Sequence, residues 1–330
     1  MRATWYDRTG PAAEVLVHGE LPDPEPGPGE VRVRVHTSGV NPADVKRRRG
    51  WAGLRMDFPR QVPHDDGAGV IDAVGPGVDP ARIGRRVWLY DTRVGRPIGT
   101  AAEYVCVPDR NAEPLPDAVG FVEGACVSIP GRTAHRCLFR DGSIKGTTVL
   151  VAGAAGAVGH AAVQQAVAAG ATVIGTVGRE ENREIARAAG CALVLDHRRD
   201  DVAAAALDAT DGRGVDRIVE VDLAANIETD ARCVAVNGAI AVYGTDSGHK
   251  PVVPVWRLMN ASVTVHFELL YNLPYTAHRQ AADDLNRWLA DGSIAMRVGR
   301  RFPLAEVAAA HDAVESGTGG GNVVVEVVPA

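Results

Sequence analysis

The run Val149-Leu150-Val151-Ala152-Gly153-Ala154-Ala155-Gly156-Ala157-Val158-Gly159-His160 reads as an apolar strand that stops in a glycine loop and restarts as the helix Ala161-Ala162-Val163-Gln164-Gln165-Ala166. Gly153, Gly156 and Gly159 fall at three-residue spacing. Glycines so placed let the backbone turn sharply, approach a phosphate group closely and pack a helix against a strand, while the helix N-terminus supplies free N–H groups and partial positive charge. Taken alone, the loop reads equally well as a small-residue packing turn, so its surroundings decide.

Those surroundings alternate strand and helix. Downstream stand a strand from Ala171 to Thr176, an amphipathic helix from Glu180 to Ala189, a strand from Ala192 to Leu195 and a helix from Asp201 to Ala209. A strand from Val215 to Val221, a helical stretch around Ile227 to Val236, a strand from Ala239 to Gly244 and a sixth strand from Ser262 to Phe267 follow. Six strands with helices between them and the glycine loop after the first form the doubly wound dinucleotide-binding pattern. Upstream, to about Asp117, short strands are broken by Pro and Gly: Val31 to His36 alternates with period two, and Val70 to Gly75 and Arg86 to Tyr90 are further strands. Leu21 to Gly29, with four prolines and two glycines, is loop.

Past Tyr271 the chain offers a helix from Ala277 to Ala290, the segment Arg300 to Leu304, a helix from Ala305 to Glu315 and a strand from Val323 to Val328. Such a tail is too small to stand alone and is expected to pack back on the first domain. The expected fold class is α/β: a Rossmann doubly wound parallel sheet inserted in a mainly β domain. Residues 1–120 plus 270–330 form the β domain and 121–269 the nucleotide domain.

A formal net charge of −6 argues against a nucleic-acid or anionic-membrane binder. Lys46-Arg47-Arg48-Arg49 is the local exception; following Pro42-Ala43-Asp44, it reads as a solvated helix face rather than an anion contact. The five cysteines are an odd number with no Cys-x-x-Cys pair, which suits a reduced cytoplasm. No apolar run reaches the ~18 residues of a membrane span, and Met1 to Asp7 is no signal peptide. A soluble cytoplasmic protein with no nucleic-acid or membrane partner is expected.

NAD-preferring folds of this pattern place an acidic residue at the end of the second strand, about 20 residues past the loop, to bind ribose hydroxyls. Here that place reads Thr176-Val177-Gly178-Arg179. The carboxylate is missing and the Arg179 guanidinium, suited to a 2′-phosphate, stands close by, so NADPH is the expected cofactor; the alternative for Arg179 is a solvated residue opening the next helix.

Five segments carry a family resemblance: Ser38-Gly39-Val40-Asn41-Pro42-Ala43-Asp44, Asp66 through Gly75, Ile129-Pro130-Gly131-Arg132-Thr133-Ala134-His135, Gly153 through Gly159, and Phe302-Pro303-Leu304 through His311. The chain resembles, almost end to end, the medium-chain dehydrogenase/reductase family, most closely its zinc-free quinone oxidoreductase branch of the zeta-crystallin type. The resemblance implies a GroES-like β domain and a homodimer paired through the strand Ser262 to Phe267. It implies that Asn41 and Thr133 lie near the nicotinamide as catalytic and cofactor-binding positions, with Gly153, Ala155, Gly156, Ala157 and Val158 at the pyrophosphate. Gly178, Arg179 and His197 would meet the adenosine phosphate, Gly244 and Thr245 would close the loop after the fifth strand, and His266 and Phe267 would border the nicotinamide ribose. Asn322 stands where relatives carry a cofactor-holding Lys. For Asn41 an Asx-turn before Pro42 is an equal reading. The branch's tyrosines are replaced by His135, read as a structural histidine rather than a proton donor, and by Ala52 beside Trp51.

Zinc alcohol dehydrogenases use thiolate and imidazole ligands. Here Ser38 stands first, Asp65 rather than His64 takes the imidazole place, Asp66 takes the Glu place, and the four-cysteine lobe is absent. His64, Asp65 and Asp66 read as a hydrogen-bonded turn, and no metal is expected. Hydride delivery from reduced nicotinamide to a quinone is the expected chemistry. The alternatives are reduction of an enoyl or alkenal C=C bond in secondary metabolism, and a binding protein that retains NADPH without turnover.

Overall fold

The computed structural model describes residues 1–328, which form two compact units. Unit 1 comprises Met1–Ile129, Ala282–Ala290 and the chain from Met296 onward; unit 2 comprises Pro130–Ala281 and Asp291–Ala295. The divisions after Ile129, Ala281 and Ala290 fall inside two helices and the one after Ala295 in the loop beyond, all later in the chain than the expected 120/121 and 269/270. A helix that continues through a boundary shows no change of sequence texture there, whereas the texture changes at Val119, before the helix begins.

In unit 1, β1 (Arg2–Trp5) and β2 (Val17–Glu20) pair antiparallel, with the one-turn α1 (Ala12–Val15) between them. Then come β3 (Glu30–Val40), α2 (Pro42–Arg49), β4 (Asp66–Val74), β5 (Arg86–Leu89), β6 (Tyr104–Pro108), β7 (Ala112–Pro114) and α3 (Phe121–Gly124). The alternation in β3 turns Val31, Val33 and Val35 inward, where they join Ile71, Val87, Val105 and Val107 in one apolar core. After α4 (Ser128–Phe139), unit 2 runs β8 (Thr148–Val151), α5 (Ala157–Ala168), β9 (Thr172–Val177), α6 (Glu181–Ala188), β10 (Leu193–Asp196) and α7 (Val202–Asp208). It continues through β11 (Val215–Glu220), α8 (Leu223–Cys233), β12 (Val234–Val242), α9 (Val255–Asn260), β13 (Thr264–Phe267) and α10 (Tyr275–Asp291). The chain closes with β14 (Val298–Pro303), α11 (Val307–Glu315) and β15 (Asn322–Glu326).

The tail strand β15 pairs antiparallel with β3, Val325 opposite Ser38, and so completes a seven-stranded sheet ordered β14-β15-β3-β4-β5-β7, with β6 also paired to β3. Unit 2 holds a six-stranded parallel sheet ordered β10-β9-β8-β11-β12-β13. Counted from β8, that is the order 3-2-1-4-5-6, and the strand order reverses at β8 beside β11, where doubly wound sheets take their ligands. All six expected strands are present. The helix expected around Ile227 to Val236 ends earlier, at Cys233, because Val234 to Asn237 already run as β12. Val234 pairs with Val215, and the register then shifts at Asn237, whose φ of 62° is left-handed.

The basic run of α2 departs from the solvated face expected of it. Arg48 is fully buried, donating to the Gly10 carbonyl at 2.5 Å and pairing with Glu315 of α11 at 2.7 Å. Arg47 reaches buried Asp65 at 2.7 Å, and Lys46 lies over the Trp51 ring. Only Arg49 matches the solvated reading, being exposed while it pairs with Glu315. None of the helices among the described residues is long and apolar enough to cross a membrane.

Candidate cofactor and active site

In unit 2 the glycine loop is fixed by its own close contacts. Gly153 adopts φ +68°, its amide donates to Thr176 Oγ1 at 3.2 Å, and the Ala154 amide donates to the Thr176 carbonyl at 2.9 Å. Gly156 caps α5 in extended conformation. A Cβ on Gly159 would stand 2.1 Å from the Gly153 carbonyl oxygen, so only glycine lets the helix start this close to the loop. The amides of Ala157 and Val158 open a twelve-residue helix with no intrahelical acceptor. With Ala155 beside them they offer N–H donors and the positive end of a helix dipole, a shape and charge suited to a pyrophosphate.

One strand away, β9 and β10 run in register with Val177 opposite Asp196, which brings Gly178 alongside His197. A Cβ on Gly178 would meet His197 Nε2 at 2.6 Å and approach Arg198 Nε at 3.6 Å. Arg179 and Arg198 are both exposed, and neither guanidinium has an ion-pair partner among the described residues. The His197 imidazole and the Arg198 guanidinium thus lie against Gly178, and the unpaired Arg179 follows it in the chain, at the strand end where an NAD-preferring fold carries a carboxylate. Arg198 is absent from the sequence expectations, although the Asp196-His197-Arg198-Arg199 run held the signal. His197 also lines a cavity of about 310 Å³ whose wall includes Thr176, Glu220, Asn226, Thr229 and Asp230.

The loop after β12 is held equally tightly. A Cβ on Gly244 would lie 2.1 Å from the Val221 carbonyl oxygen, and Thr245 Oγ1 donates to the Gly248 carbonyl at 2.6 Å. His266 is less available than expected: its Nε2 contacts Asp141 at 3.0 Å, and Asp141 also receives Arg217 at 2.6 Å. Phe267 is 72% exposed at the end of β13. Thr133 is half-buried on α4, two residues before His135, which is buried with its ring 4.7 Å from that of Phe139.

In unit 1, Asn41 caps α2 and sits 4% exposed. Its backbone amide donates to Asp44 at 2.9 Å, and its side-chain Nδ2 donates to Asp66 Oδ2 at 3.0 Å. The same Asp66 oxygen accepts the Ile129 amide at 2.9 Å, at the start of α4. Asn41 is therefore a helix cap whose carboxamide is aimed by Asp66, not a free-standing turn residue. Burial drives the Asp66 carboxyl well above the ordinary carboxylate range, and burial with the Asp65 charge lifts Asp44 to about 7. Asn322 packs against β14: its Nδ2 donates to the Arg297 carbonyl at 2.9 Å.

The His64-Asp65-Asp66 turn is held by protein partners, with Asp66 Oδ1 left buried without a hydrogen bond. Asp65 accepts from Arg47 and from the Arg93 amide at 3.0 Å. His64 Nδ1 lies 2.8 Å from Ser38 Oγ, which lies 2.6 Å from Thr100 Oγ1, which donates to the Asp66 carbonyl at 2.5 Å. Because the Thr100 proton is spent on that carbonyl, Ser38 must donate to Thr100 and accept from His64 Nδ1–H. His64 Nε2 is then an acceptor, and the proton between it and His311 Nε2, 2.9 Å away, belongs to His311. Among the described residues no group of three or more His, Cys, Asp or Glu side chains is placed to hold a metal ion.

Both histidines are held neutral. Burial pushes His64 down to about 3 against the pull of Asp65, and burial, His64 and Arg48 push His311 well below its ordinary value. The folded chain thus binds fewer protons here than the unfolded chain, whose histidines titrate near 6.5. Stability is retained above that value and lost as pH falls from it toward 3, by up to about 1.4 kcal/mol per pH unit for each histidine. Urea unfolding between about pH 6 and pH 4 is expected to show this slope. His311→Asn, which keeps a donor for His64 but cannot titrate, should reduce it by one proton's worth; an unchanged slope would refute the assignment.

Residues 27–117 match the family model of the alcohol dehydrogenase GroES-like domain, and residues 157–287 that of zinc-binding dehydrogenase. The chain belongs to the medium-chain dehydrogenase/reductase family. Within it the likeness is to quinone oxidoreductases: the chain is 30% identical to that of Homo sapiens over 97% of its own length and 95% of the human protein. A 2-haloacrylate reductase from a Burkholderia species is 31% identical, with 83% of each chain covered. The structure of Escherichia coli quinone oxidoreductase complexed with NADPH matches at a TM-score of 0.87 and 26% identity, covering 99% of this chain and 100% of that one.

Proposed function

We propose that this chain is a zinc-independent, NADPH-dependent reductase that delivers hydride to a quinone. The observation that carries the cofactor choice is the unpaired Arg179 and Arg198 pair around Gly178. Two guanidiniums suit a 2′-phosphate and repel nothing in it, whereas ribose hydroxyls alone give them no anion to bind. Gly153, Ala155, Gly156, Ala157 and Val158 hold the pyrophosphate, His197 the adenosine side, and Gly244 and Thr245 the loop facing it. The NADPH complex of the Escherichia coli relative supports NADPH as the cofactor.

Zinc independence rests on the donor set. Both nitrogens of His64 are committed to Ser38 and His311, Asp65 to two arginines, and Asp66 to Asn41 and α4. None retains the free thiolate or imidazole that a tetrahedral zinc site needs. Bound NADPH supplies the hydride; the chain supplies orientation and a shielded surface. Asn41, aimed by Asp66, and Thr133 are the polar groups we assign to the nicotinamide end.

The human relative's name supports a quinone acceptor, and the Burkholderia relative's name favours a second reading, reduction of an activated C=C bond. A panel of benzoquinone, naphthoquinone, a 2-alkenal and an enoyl thioester separates them, and NADPH bound but oxidised by none would mark a binding protein. KM for NADPH and NADH tests the cofactor. The double variant Arg179→Ala/Arg198→Ala should raise KM for NADPH by about tenfold or more and leave KM for NADH within about twofold, as lost charge-assisted phosphate contacts require. A tenfold preference of the unmodified protein for NADH would sink the assignment.

We also propose a homodimer. β13 is the edge of the parallel sheet, and Trp256, Met259 and Phe267 around it are exposed. An unpaired strand edge beside apolar side chains is a surface that another strand covers. Light scattering at micromolar concentration should give twice the chain mass, and Phe267→Lys should shift it toward one; a monomeric unmodified protein would contradict the pairing. The cytoplasm is the compartment we assign, from five cysteines none of which is disulfide-bonded.

A further inference from the structure

Within unit 2 the helix that carries Thr133 is held from both ends by polar contacts. On α4 the residues three and seven positions after Thr133, Arg136 and Arg140, share its face. Both guanidiniums reach one carboxylate: Arg136 Nε donates to Glu268 Oε2 at 3.2 Å, and Arg140 Nη1 donates to Glu268 Oε1 at 2.7 Å. The Glu268 side chain is only 4% exposed. Glu268 directly follows β13 and prolongs its pairing, its amide donating to the Val242 carbonyl at 2.8 Å. Alternation along the strand turns His266 and Glu268 inward and leaves Phe267 between them exposed. His266 Nε2 lies 3.0 Å from Asp141, Asp141 accepts from Arg217 at 2.6 Å, and Arg217 also donates to the Cys137 carbonyl of α4 at 2.9 Å. Before Thr133, fully buried Gln165 of α5 donates to the Gly131 carbonyl at 3.0 Å. Thr133 therefore stands between a link to the helix that opens at the glycine loop and a link to the edge of the parallel sheet.

We propose that Glu268 is a positioning residue for hydride transfer: its carboxylate grips Arg136 and Arg140 and so fixes the face of α4 that aims Thr133 at the nicotinamide. The inference rests on the placement of Thr133 in the proposed function. One carboxylate between two guanidiniums makes strong, directional, charge-assisted bonds, and its shielding from water keeps them from being screened. Removing it acts twice. The link from β13 to the Thr133 face is lost, and two like charges four positions apart are left to repel each other across the end of α4. The residues assigned to the pyrophosphate and the 2′-phosphate lie on other elements, the glycine loop with α5 and the ends of β9 and β10. A loosened α4 should therefore slow the hydride step while sparing cofactor binding.

The test is steady-state reduction of a naphthoquinone by NADPH for the unmodified protein, Glu268→Ala, Glu268→Gln, Thr133→Val and the double variant Thr133→Val/Glu268→Ala. Hydrogen exchange over residues 133–141 is followed in the cofactor-free proteins. Glu268→Ala should lower kcat about tenfold and leave KM for NADPH within about twofold. Glu268→Gln, which keeps the volume and one acceptor but not the charge, should fall between. In the Thr133→Val background the Glu268→Ala change should cost less than about twofold, because a residue that acts through Thr133 has nothing left to aim. Exchange in α4 should quicken in Glu268→Ala. An unchanged kcat, a rise in KM for NADPH matching the loss of kcat, or the same loss of kcat with and without Thr133 overturns the proposal. If Glu268→Ala does not fold, Glu268→Gln carries the same comparisons. An unchanged kcat in Thr133→Val, or an unmodified protein that oxidises no NADPH, would instead overturn the proposed function, and unchanged α4 exchange would by itself overturn the grip of Glu268.

Discussion

Gly159→Ala is expected to remove NADPH binding and destabilise the nucleotide unit together. The added methyl would stand 2.1 Å from the Gly153 carbonyl oxygen and 2.8 Å from its carbon, against backbone that cannot rotate away. Relief requires α5 to move off the loop, and overpacking of this kind costs about 1–3 kcal/mol. Moving α5 also displaces the Ala157 and Val158 amides, and a shift near 1 Å in a binding group costs about a hundredfold. Gly156→Ala is the informative partner. At Gly156 the nearest atom is 3.3 Å from an added Cβ, and its φ of −74° suits any residue, so the variant should fold as the unmodified protein does. It should still bind NADPH more weakly, because the methyl faces the anion. Thermal unfolding with and without NADPH checks both; a Gly159→Ala protein with unchanged affinity would contradict the assignment of the loop.

Glu315→Ala is expected to cost unit 1 about 3 kcal/mol, at the low end for breaking a buried pair, because Arg48 keeps its bond to the Gly10 carbonyl and Glu315 is partly exposed. The loss is large because Arg48, fully buried, is left without its counter-charge. Arg48→Met should be milder, about 1 kcal/mol, since Glu315 retains Arg49 at 2.6 Å and the apolar side chain fills the same space. Urea unfolding at constant m measures both. Equal losses in the two variants would mean that lost packing, rather than the stranded charge, sets the cost.

The parallel sheet and its loop were legible because they depend on local features: apolar runs, helical periods and three glycines within one stretch of chain. The basic helix was not. Charges at successive positions look solvated until the partner is known, and Glu315 lies 267 residues from Arg48. Asn41 poses the same problem at shorter range, since the sequence leaves a turn and a contact equally open and only Asp66, 25 residues on, fixes where the carboxamide points. The His64–His311 pair lay beyond reading altogether, because its direction follows from a chain of protons that ends on the Asp66 backbone. Arg198 was readable, yet a cation one strand away from the expected acidic position matters only once the β9–β10 register sets it beside Gly178.

Zinc-independent hydride transfer from NADPH is decided by steady-state oxidation of NADPH and NADH by a naphthoquinone in the presence of a strong chelator. Full activity under chelation is expected, with kcat/KM for NADPH at least about tenfold above that for NADH. Stoichiometric zinc by elemental analysis with activity lost to the chelator, or a tenfold preference for NADH, would contradict it.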